Sequence, residues 1–334
     1  MDTAKAEREF FVSISPHIKD KETTSRIIWT VTGSLMPVAV AGAYYFGPRA
    51  IFTMVLCIGA SVLFEYAFQR FLHQKVTIRD GSALLTGLLL AFNLPPAAPF
   101  YIALIGSFVA IILTKQLFGG FGFNIFNPAL LGRAFLLISF PRVLTAWNAP
   151  GAAFVHIDTV TCATPLALSK LDGVRQLFNQ SGGALRLYAD LLFGSRGGCI
   201  GETCIIALVA GAIFLLWRGY ITWHIPVSFL ATAALIAWVF GDSRCFFGGN
   251  PVFHLLSGGM VLGACFMATD YVTSPACKTG KILFGAGCGF LTMLIRLKGG
   301  YPEGVMFSIL IMNCFTPLID KKFRPGVFGT RRTR

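Results

Sequence analysis

The stretch "DTVTCATPLA" sets Asp158, Thr161 and Thr164 three residues apart, a carboxylate and two hydroxyls in a chain that is otherwise largely apolar. If the turn continues helically, that spacing puts all three on one side. A function-neutral reading also holds: Thr-Pro before an apolar-periodic run is a helix start, with Thr161 or Thr164 as N-cap of "PLALSKLDG" and Pro165 in the first helical position. A second candidate is "GSRGGCIGETC" (194–204), whose four glycines are able to turn backbone N–H groups toward an anion. The alternative there is a flexible re-entry into an apolar helix, with Glu202 and Thr203 as caps. Two acids lie at the ends of apolar runs, Glu65 and Asp270, and an acid at such a place is a candidate for a cation or proton relay. Glu65 is free to pair with Arg70 or to sit among helices. Asn124, Asn127 and Arg133 share one short segment, where Asn127 before Pro128 is as well suited to cap a helix as to bind a ligand.

The elements that position these residues follow from composition. The 334 residues are 55% hydrophobic and 13% charged, with a mean hydropathy of +0.69, about half the charged share of a soluble domain. Lipid is the solvent such a chain requires. Stretches without Asp, Glu, Lys or Arg, among them 27–48, 81–114, 219–241 and 245–269, predict helices at 27–47, 50–68, 81–93, 99–113, 126–140, 202–217, 223–240, 252–269, 281–296 and 304–318. The first 26 residues carry ten charges and read as a tail against the membrane surface rather than a cleaved signal. Nine cysteines without a CxxC spacing read as small apolar fillers, Cys57, Cys265, Cys288 and Cys314 among them.

With the N-terminus in the cytoplasm, inner segments hold 18 of the 28 Lys and Arg and outer segments nine, which favours both termini inside and the 141–201 loop outside. "GSALLTGLLLAFNLPP" (81–96) is similar to "FHLLSGGMVLGACFMATD" (253–270), and "GGFGFNIFNPALLGRAFLL" (119–137) to "GGYPEGVMFSILIMNCFTP" (299–317), at offsets of 171 and 180. Such a duplication of five-helix units makes the second copy inverted. The expected fold is therefore an all-α polytopic membrane protein of about ten helices in two inverted five-helix repeats with broken helices. Its parts are the tail 1–26, the first repeat 27–140, the outer loop 141–201, the second repeat 202–318 and a basic cytoplasmic tail 319–334. "AFNLPP" and "ATDYVTSP" end helices early, either as ordinary surface caps or as breaks at membrane depth beside a central site.

On "DTVTCATPLA", "DGSALLTGLLLAFNLPP", "GGFGFNIFNPALLGRAFL", "GSRGGCIGETC" and "FMATDYVTSP", the chain resembles a known family from about Ser15 to Pro325. That family is RnfD, the membrane-embedded D subunit of the Rnf ferredoxin:NAD oxidoreductase complex, together with its relative, the B subunit of the sodium-pumping NADH:quinone reductase. The resemblance implies a flavin mononucleotide joined by a phosphoester to the last threonine of an Asp-x-x-Ser/Thr-Gly-Ala-Thr motif on the outer side. The matching positions are Asp158, Thr161, Ala163 and Thr164, with Thr164 as the flavin-bearing residue and Cys162 standing where glycine is usual.

The resemblance implies further that a second, non-covalent flavin or riboflavin sits within the bundle. It makes the chain an electron-transfer subunit of a prokaryotic inner- or plasma-membrane complex that couples electron flow to Na⁺ or H⁺ movement. The partners implied are the other membrane and peripheral subunits, among them a second covalent-flavin subunit and a ferredoxin- or NADH-handling one, and the flavin transferase; no nucleic acid is expected. Residues expected at the cofactor are Thr164, Asp158, Thr161, Ala163, Arg133, Asn127, Gly201, Glu202 and Thr203, with Asp270 and Glu65 handling ions and no metal ligands. The sequence lacks a GxGxxG followed by an acid, so nicotinamide chemistry falls to partners. A small-solute permease on the same inverted repeat is the alternative, and the presence of flavin separates the two.

Overall fold

A computed structural model describes residues 22–147, 150, 164–172, 174, 177–178, 182–194, 196–241, 246–301 and 303–323. Every predicted apolar run is helical. In chain order the helices are α1 (Thr24–Phe46), α2 (Pro48–Phe71), α3 (Ser82–Phe92), α4 (Phe100–Phe108), α5 (Pro128–Ser139), the single turn α6 (Pro141–Leu144), α7 (Pro165–Asp172), α8 (Ala184–Phe193), α9 (Ile205–Trp217), α10 (His224–Phe240), α11 (Pro251–Leu256), α12 (Met260–Leu262), α13 (Lys278–Lys298) and α14 (Val305–Lys322). By length and composition α1, α2 and α13 are each able to cross a membrane, and α3, α5, α9 and α10 are shorter apolar helices. The chain is an all-α, multi-pass membrane protein.

Local chemistry sets the ends. The Thr23 hydroxyl accepts from the Arg26 N–H at 3.3 Å to start α1, and Gly47, at φ 68°, stops it so that Pro48 opens α2. The Asn127 side chain accepts from the N–H groups of Ala129 and Leu130 at 3.1 and 3.4 Å, with Pro128 at the first helical position of α5. α4 does not stop near 113 as the charge pattern predicts. It continues through π-helical turns over Val109–Gln116, where the Thr114 hydroxyl donates to the Val109 carbonyl at 3.0 Å.

The run predicted as one helix over 252–269 is disturbed twice, first by a break and then by π-helical turns. Ser257 is extended and Gly258 left-handed at φ 60° between α11 and α12, and π-helical turns follow over Gly263–Met267. The "SGG" sequence causes the break, because only glycine adopts that φ without strain. α3 ends at Phe92, as "AFNLPP" predicts.

Close backbone approach packs the bundle. A Cβ on Gly289 would lie 2.5 Å from the Phe229 carbonyl oxygen, and one on Gly285 would lie 2.7 Å from that of Ile225, so α13 rests its glycines directly on α10. Small residues four apart are the usual device for this in lipid, where no hydrophobic drive joins helices. One continuous core runs from Leu35 to Ile319. A smaller one, Leu166, Leu177, Leu187, Leu191 and Phe253, docks the described part of the outer segment against α11. Cys57, Cys265 and Cys288 fill the core as read, whereas Cys314 is exposed.

Two cations counted as loop charges prove to be buried, Lys115 at 1% and Arg296 at 3% exposure. Each carries a side chain able to turn inward from a helix end, a choice hydropathy does not record. One belonged to the inner set and one to the outer, so the charge bias keeps its sign.

Candidate functional site

Thr164 is the N-cap of α7. Its carbonyl accepts from Leu168 N–H at 3.0 Å and its Oγ1 from Ala167 N–H at 3.2 Å. The hydroxyl therefore spends a lone pair on the helix end, keeps its own hydrogen to give, and stands in the positive field of an α-helix N-terminus. Thr164 is 5% exposed. It lines an open pocket, called outer after the side expected of the 141–201 loop, together with Leu166, Arg196, Gly198, Glu202, Thr203 and Glu303. The hydroxyl-bearing turn and the glycine-rich stretch of the sequence thus meet in space.

The capping reading of that stretch is corrected. Cys204 precedes α9 without a side-chain cap, the Thr203 hydroxyl donates back to Ile200 O at 3.1 Å, and Glu202 points into the pocket. Gly201 does not line it; a Cβ there would lie 2.4 Å from that of Phe92, so Gly201 is a packing residue.

Beneath this pocket is a polar cluster. Arg133, 7% exposed, donates from NH1 to Asn93 Oδ1 at 2.7 Å, and from NH2 to Cys199 Sγ at 3.3 Å and to the Glu303 carboxylate. The Cys199 sulfur and one oxygen each of Glu202 and Glu303 lie within 4.8 Å of one another. Arg296 donates to the carbonyls of His254 and Ser257 at 2.7 and 3.0 Å, groups freed by the break after α11. Its NH2 lies 3.1 Å from where a Gly258 Cβ would stand, so this glycine makes room for the guanidinium.

Polar groups lead inward from there. Asn93 Nδ2 lies 3.6 Å from Met267 Sδ, and Asn127 Nδ2 donates to the Met267 carbonyl at 3.2 Å. Asn127 is thus both a helix cap and a member of a second, inner cavity of about 800 Å³, whose walls include Val31, Leu85, Phe121, Asn124, Lys115 and Asp270. It does not approach Thr164.

At the inner cavity Lys115 Nζ meets Glu65 Oε2 at 2.7 Å and Ser82 Oγ at 2.6 Å. Ser82 in turn donates to Asp80 at 2.7 Å, and Gln69 bridges Glu65 to Thr77 at 3.3 and 2.8 Å. Glu65 therefore sits in the bundle and pairs with Lys115, not with Arg70. Asp270 follows the π-helical turns, accepts from the Thr273 hydroxyl at 3.3 Å and faces the same cavity.

Of the residues singled out in the sequence, Thr164, Glu202 and Thr203 share the outer pocket and Arg133 lies one layer below. Asn127, Asp270 and, through Lys115, Glu65 belong to the inner cavity. Asp158, Thr161, Cys162 and Ala163 lie outside the described residues. Sequence reading missed Glu303, Cys199, Asn93, Lys115 and Arg296. A signal for Glu303 existed, because Glu202 and Glu303 each stand at the outer start of a predicted span.

With two polar sites in one helical bundle, comparison with known proteins becomes informative. Residues 11–329 match the profile described as the NQR2, RnfD, RnfE family. The chain belongs to that family. It is 49% identical over 323 residues to the D subunit of the proton-translocating ferredoxin:NAD(+) oxidoreductase complex of Clostridium ljungdahlii, covering 97% of each chain. It is 43% identical over 326 residues to the D subunit of the Na(+)-translocating ferredoxin:NAD(+) oxidoreductase complex of Acetobacterium woodii, covering 97% of this chain and 96% of the relative. To the D subunit of the ion-translocating oxidoreductase complex of Escherichia coli it is 36% identical over 361 residues, covering 97% and 99%. Membership fits the RnfD-type resemblance carried by the sequence motifs and gives the chain the standing of a subunit within a multi-subunit oxidoreductase.

Proposed function

We propose that this chain is the flavin-carrying electron-transfer subunit of an Rnf-type membrane complex, that Thr164 bears a covalent FMN on the outer side, and that the inner cavity takes a second, non-covalent flavin. The observation that carries the reading is the Thr164 hydroxyl itself: a helix-capping threonine set in a pocket with Asp190, Glu202, Glu303 and a glycine-rich loop.

The residues fit the group. A phosphoester on Thr164 Oγ places its anionic oxygens at the N-terminus of α7, where backbone N–H groups and the helix dipole favour negative charge. Leu166, Leu191 and Leu256 give apolar walls to the same pocket. Once bound, the flavin supplies one- and two-electron carriage. What the chain itself does is hold, orient and insulate. Thr164 fixes the tether, the leucines exclude water, and Arg133, locked by Asn93 and Glu303, sets a positive charge beneath the pocket.

Inside, an apolar cavity edged by Asn124, Asn127, Ser82 and Thr86 has the mixed lining of a cofactor site. The similarity of 81–96 to 253–270 and of 119–137 to 299–317 supports an inverted five-helix repeat with ten crossings, and the charge bias supports both termini cytoplasmic. Electrons enter from partner subunits that handle ferredoxin or NADH, leave toward a second covalent-flavin subunit, and are coupled to Na⁺ or H⁺ movement; a flavin transferase loads Thr164.

The test is the intact mass of the subunit purified from its complex, with in-gel flavin fluorescence. One esterified FMN is expected, lost in Thr164→Ala and retained in Thr164→Ser. A flavin-free parent chain, or fluorescence unchanged in Thr164→Ala, refutes the assignment and returns the permease reading. For topology, an engineered cysteine near Lys170 should label from outside intact cells and one near Lys322 should not; the reverse pattern inverts the orientation.

A further inference from the structure

We propose that Glu202 and Glu303 form a proton-sharing carboxyl pair that takes up one proton from outer water when an electron reaches the outer pocket and releases it when the electron leaves. The inference rests on Thr164 as the flavin-bearing residue and adds a role for two acids to that reading.

The geometry is that of two acids from separate elements meeting around one cation. Glu202 belongs to the short turn Ile200–Glu202 ahead of α9, and Glu303 precedes α14. Both line the outer pocket with Thr164, and both also line the small cavity beneath it with Arg133 and Asn93. Arg133 spends NH2 on Glu303 and Cys199 and NH1 on Asn93, while its Nε is buried with no hydrogen-bond partner among the described residues.

Arg296, the other buried guanidinium, gives its NH1 and NH2 to backbone carbonyls. Among the described residues Glu202 therefore has no cation bonded to it, and its Oε1 is buried with no hydrogen-bond partner. Two carboxylates this close do not both ionise easily, and one proton between them is the usual resolution.

The groups that face the pair are Arg133 from α5, Cys199 from the same turn as Glu202, and Arg296 from α13 with His254 of α11 behind it. At the pocket rim stand Asp190 of α8 and Arg196, bonded to each other at 3.1 Å. Burial first, and the Glu303 charge second, push the Glu202 carboxyl up to about 7, against the pull of Arg133 and of the backbone N–H groups of Gly259 and Cys199.

The step balances. An electron supplied by the complex would bring one negative charge into the outer pocket, and an O–H bond would form on a Glu202 oxygen with a proton from outer water. When the electron passes on, that O–H bond breaks and the proton returns. The local charge is the same before and after, so the low-dielectric pocket is spared an uncompensated anion.

The experiment is a potentiometric titration of the outer flavin in the purified complex from about pH 7 to 9, where Glu202 is ionised before the electron arrives, in the parent, Glu202→Gln, Glu303→Gln and Glu202→Asp proteins. One proton per electron makes the reduction equilibrium fall about tenfold per pH unit, about 59 mV for a one-electron couple. The parent is expected to show a slope approaching that figure, both glutamine variants at most half of it, and Glu202→Asp the parental slope. Redox-difference infrared spectra should show a protonated-carboxyl band in the parent that is absent from Glu202→Gln. In-gel fluorescence accompanies each sample. A parent without attached flavin overturns the Thr164 reading. Attached flavin with the parental slope and band in both glutamine variants overturns the carboxyl pair alone, because the proton then belongs to the flavin ring.

Discussion

Replacing Lys115 by methionine removes the only cation that touches the Glu65 carboxylate among the described residues, and both side chains are 1% exposed. At their 2.7 Å separation the Coulomb attraction is about 6 kcal/mol for an effective dielectric of 20, and desolvating the two ions costs several kcal/mol each. The intact pair is thus nearly neutral in net stability, while half of it is not. Glu65 would be left with Gln69 as its one hydrogen-bond donor, at 3.3 Å. The expected loss is about 3–5 kcal/mol, the usual cost of stranding a buried charge, which is a factor of about 100 to a few thousand in the folding equilibrium. The double variant Lys115→Met, Glu65→Gln should regain most of it, because no uncompensated charge remains. Equilibrium unfolding in mixed micelles, run as a double-mutant cycle, measures the coupling directly. A single variant within about 1 kcal/mol of the parent would refute the argument. Ion uptake in vesicles with the double variant then decides a second question. Stability restored with transport lost makes Glu65 an ion-handling acid, and restoration of both makes the pair structural.

Other outcomes follow from packing and charge. Gly289→Ala should destabilise the bundle by about 1–3 kcal/mol in the same unfolding assay, since its Cβ would meet the Phe229 carbonyl at 2.5 Å; no change would mean that α10 and α13 separate freely. Asp270→Asn should lower the ions carried per electron in reconstituted vesicles while leaving flavin content intact, and an unchanged ratio removes Asp270 from the path. With Glu202 raised from its ordinary 4.5 to about 7, the folded state binds the extra proton between those values, so stability falls as pH climbs through that window and levels off above it. Glu202→Gln should flatten this decline, read as thermal unfolding against pH, and a parental decline in the variant would contradict it.

Helix positions were legible because charge-free runs in lipid leave the backbone no other way to satisfy its hydrogen bonds. Capping chemistry was legible too: Thr164 before Pro165 and Asn127 before Pro128 both cap as their sequence predicts. The meeting of Thr164 with Glu202 and Thr203 was expected from the family resemblance, which set all three at one cofactor, and not from the local sequence. Long-range pairings were the part that stayed hidden. Nothing local distinguishes Lys115 from a snorkelling lysine at a helix end until α2 brings Glu65 beside it, 50 residues away in sequence. Arg133 and Glu303 are separated by 170 residues, and Glu303 reads as a hydrated acid of a Gly-rich turn. The break at Ser257–Gly259 was present in the sequence, but its neighbours are apolar enough that hydropathy runs through it. Those carbonyls also explain Arg296, whose partner is backbone rather than an acid and so leaves no sequence signature.

The 5% exposure of Thr164 bears on how the subunit is made. An attaching enzyme needs the hydroxyl at its own active site, and a threonine this buried, in a pocket shared with Leu166 and Gly198, is poorly placed to enter a second protein. On the proposed reading, loading therefore precedes the docking of α7, or occurs while α7 is swung out in a local opening of the outer segment. The small core of Leu166, Leu177, Leu187, Leu191 and Phe253 then acts as a latch that closes after the cofactor is in place. On either route the burial of Thr164 sets the same sequence: exposure of the threonine, attachment, and only then closure.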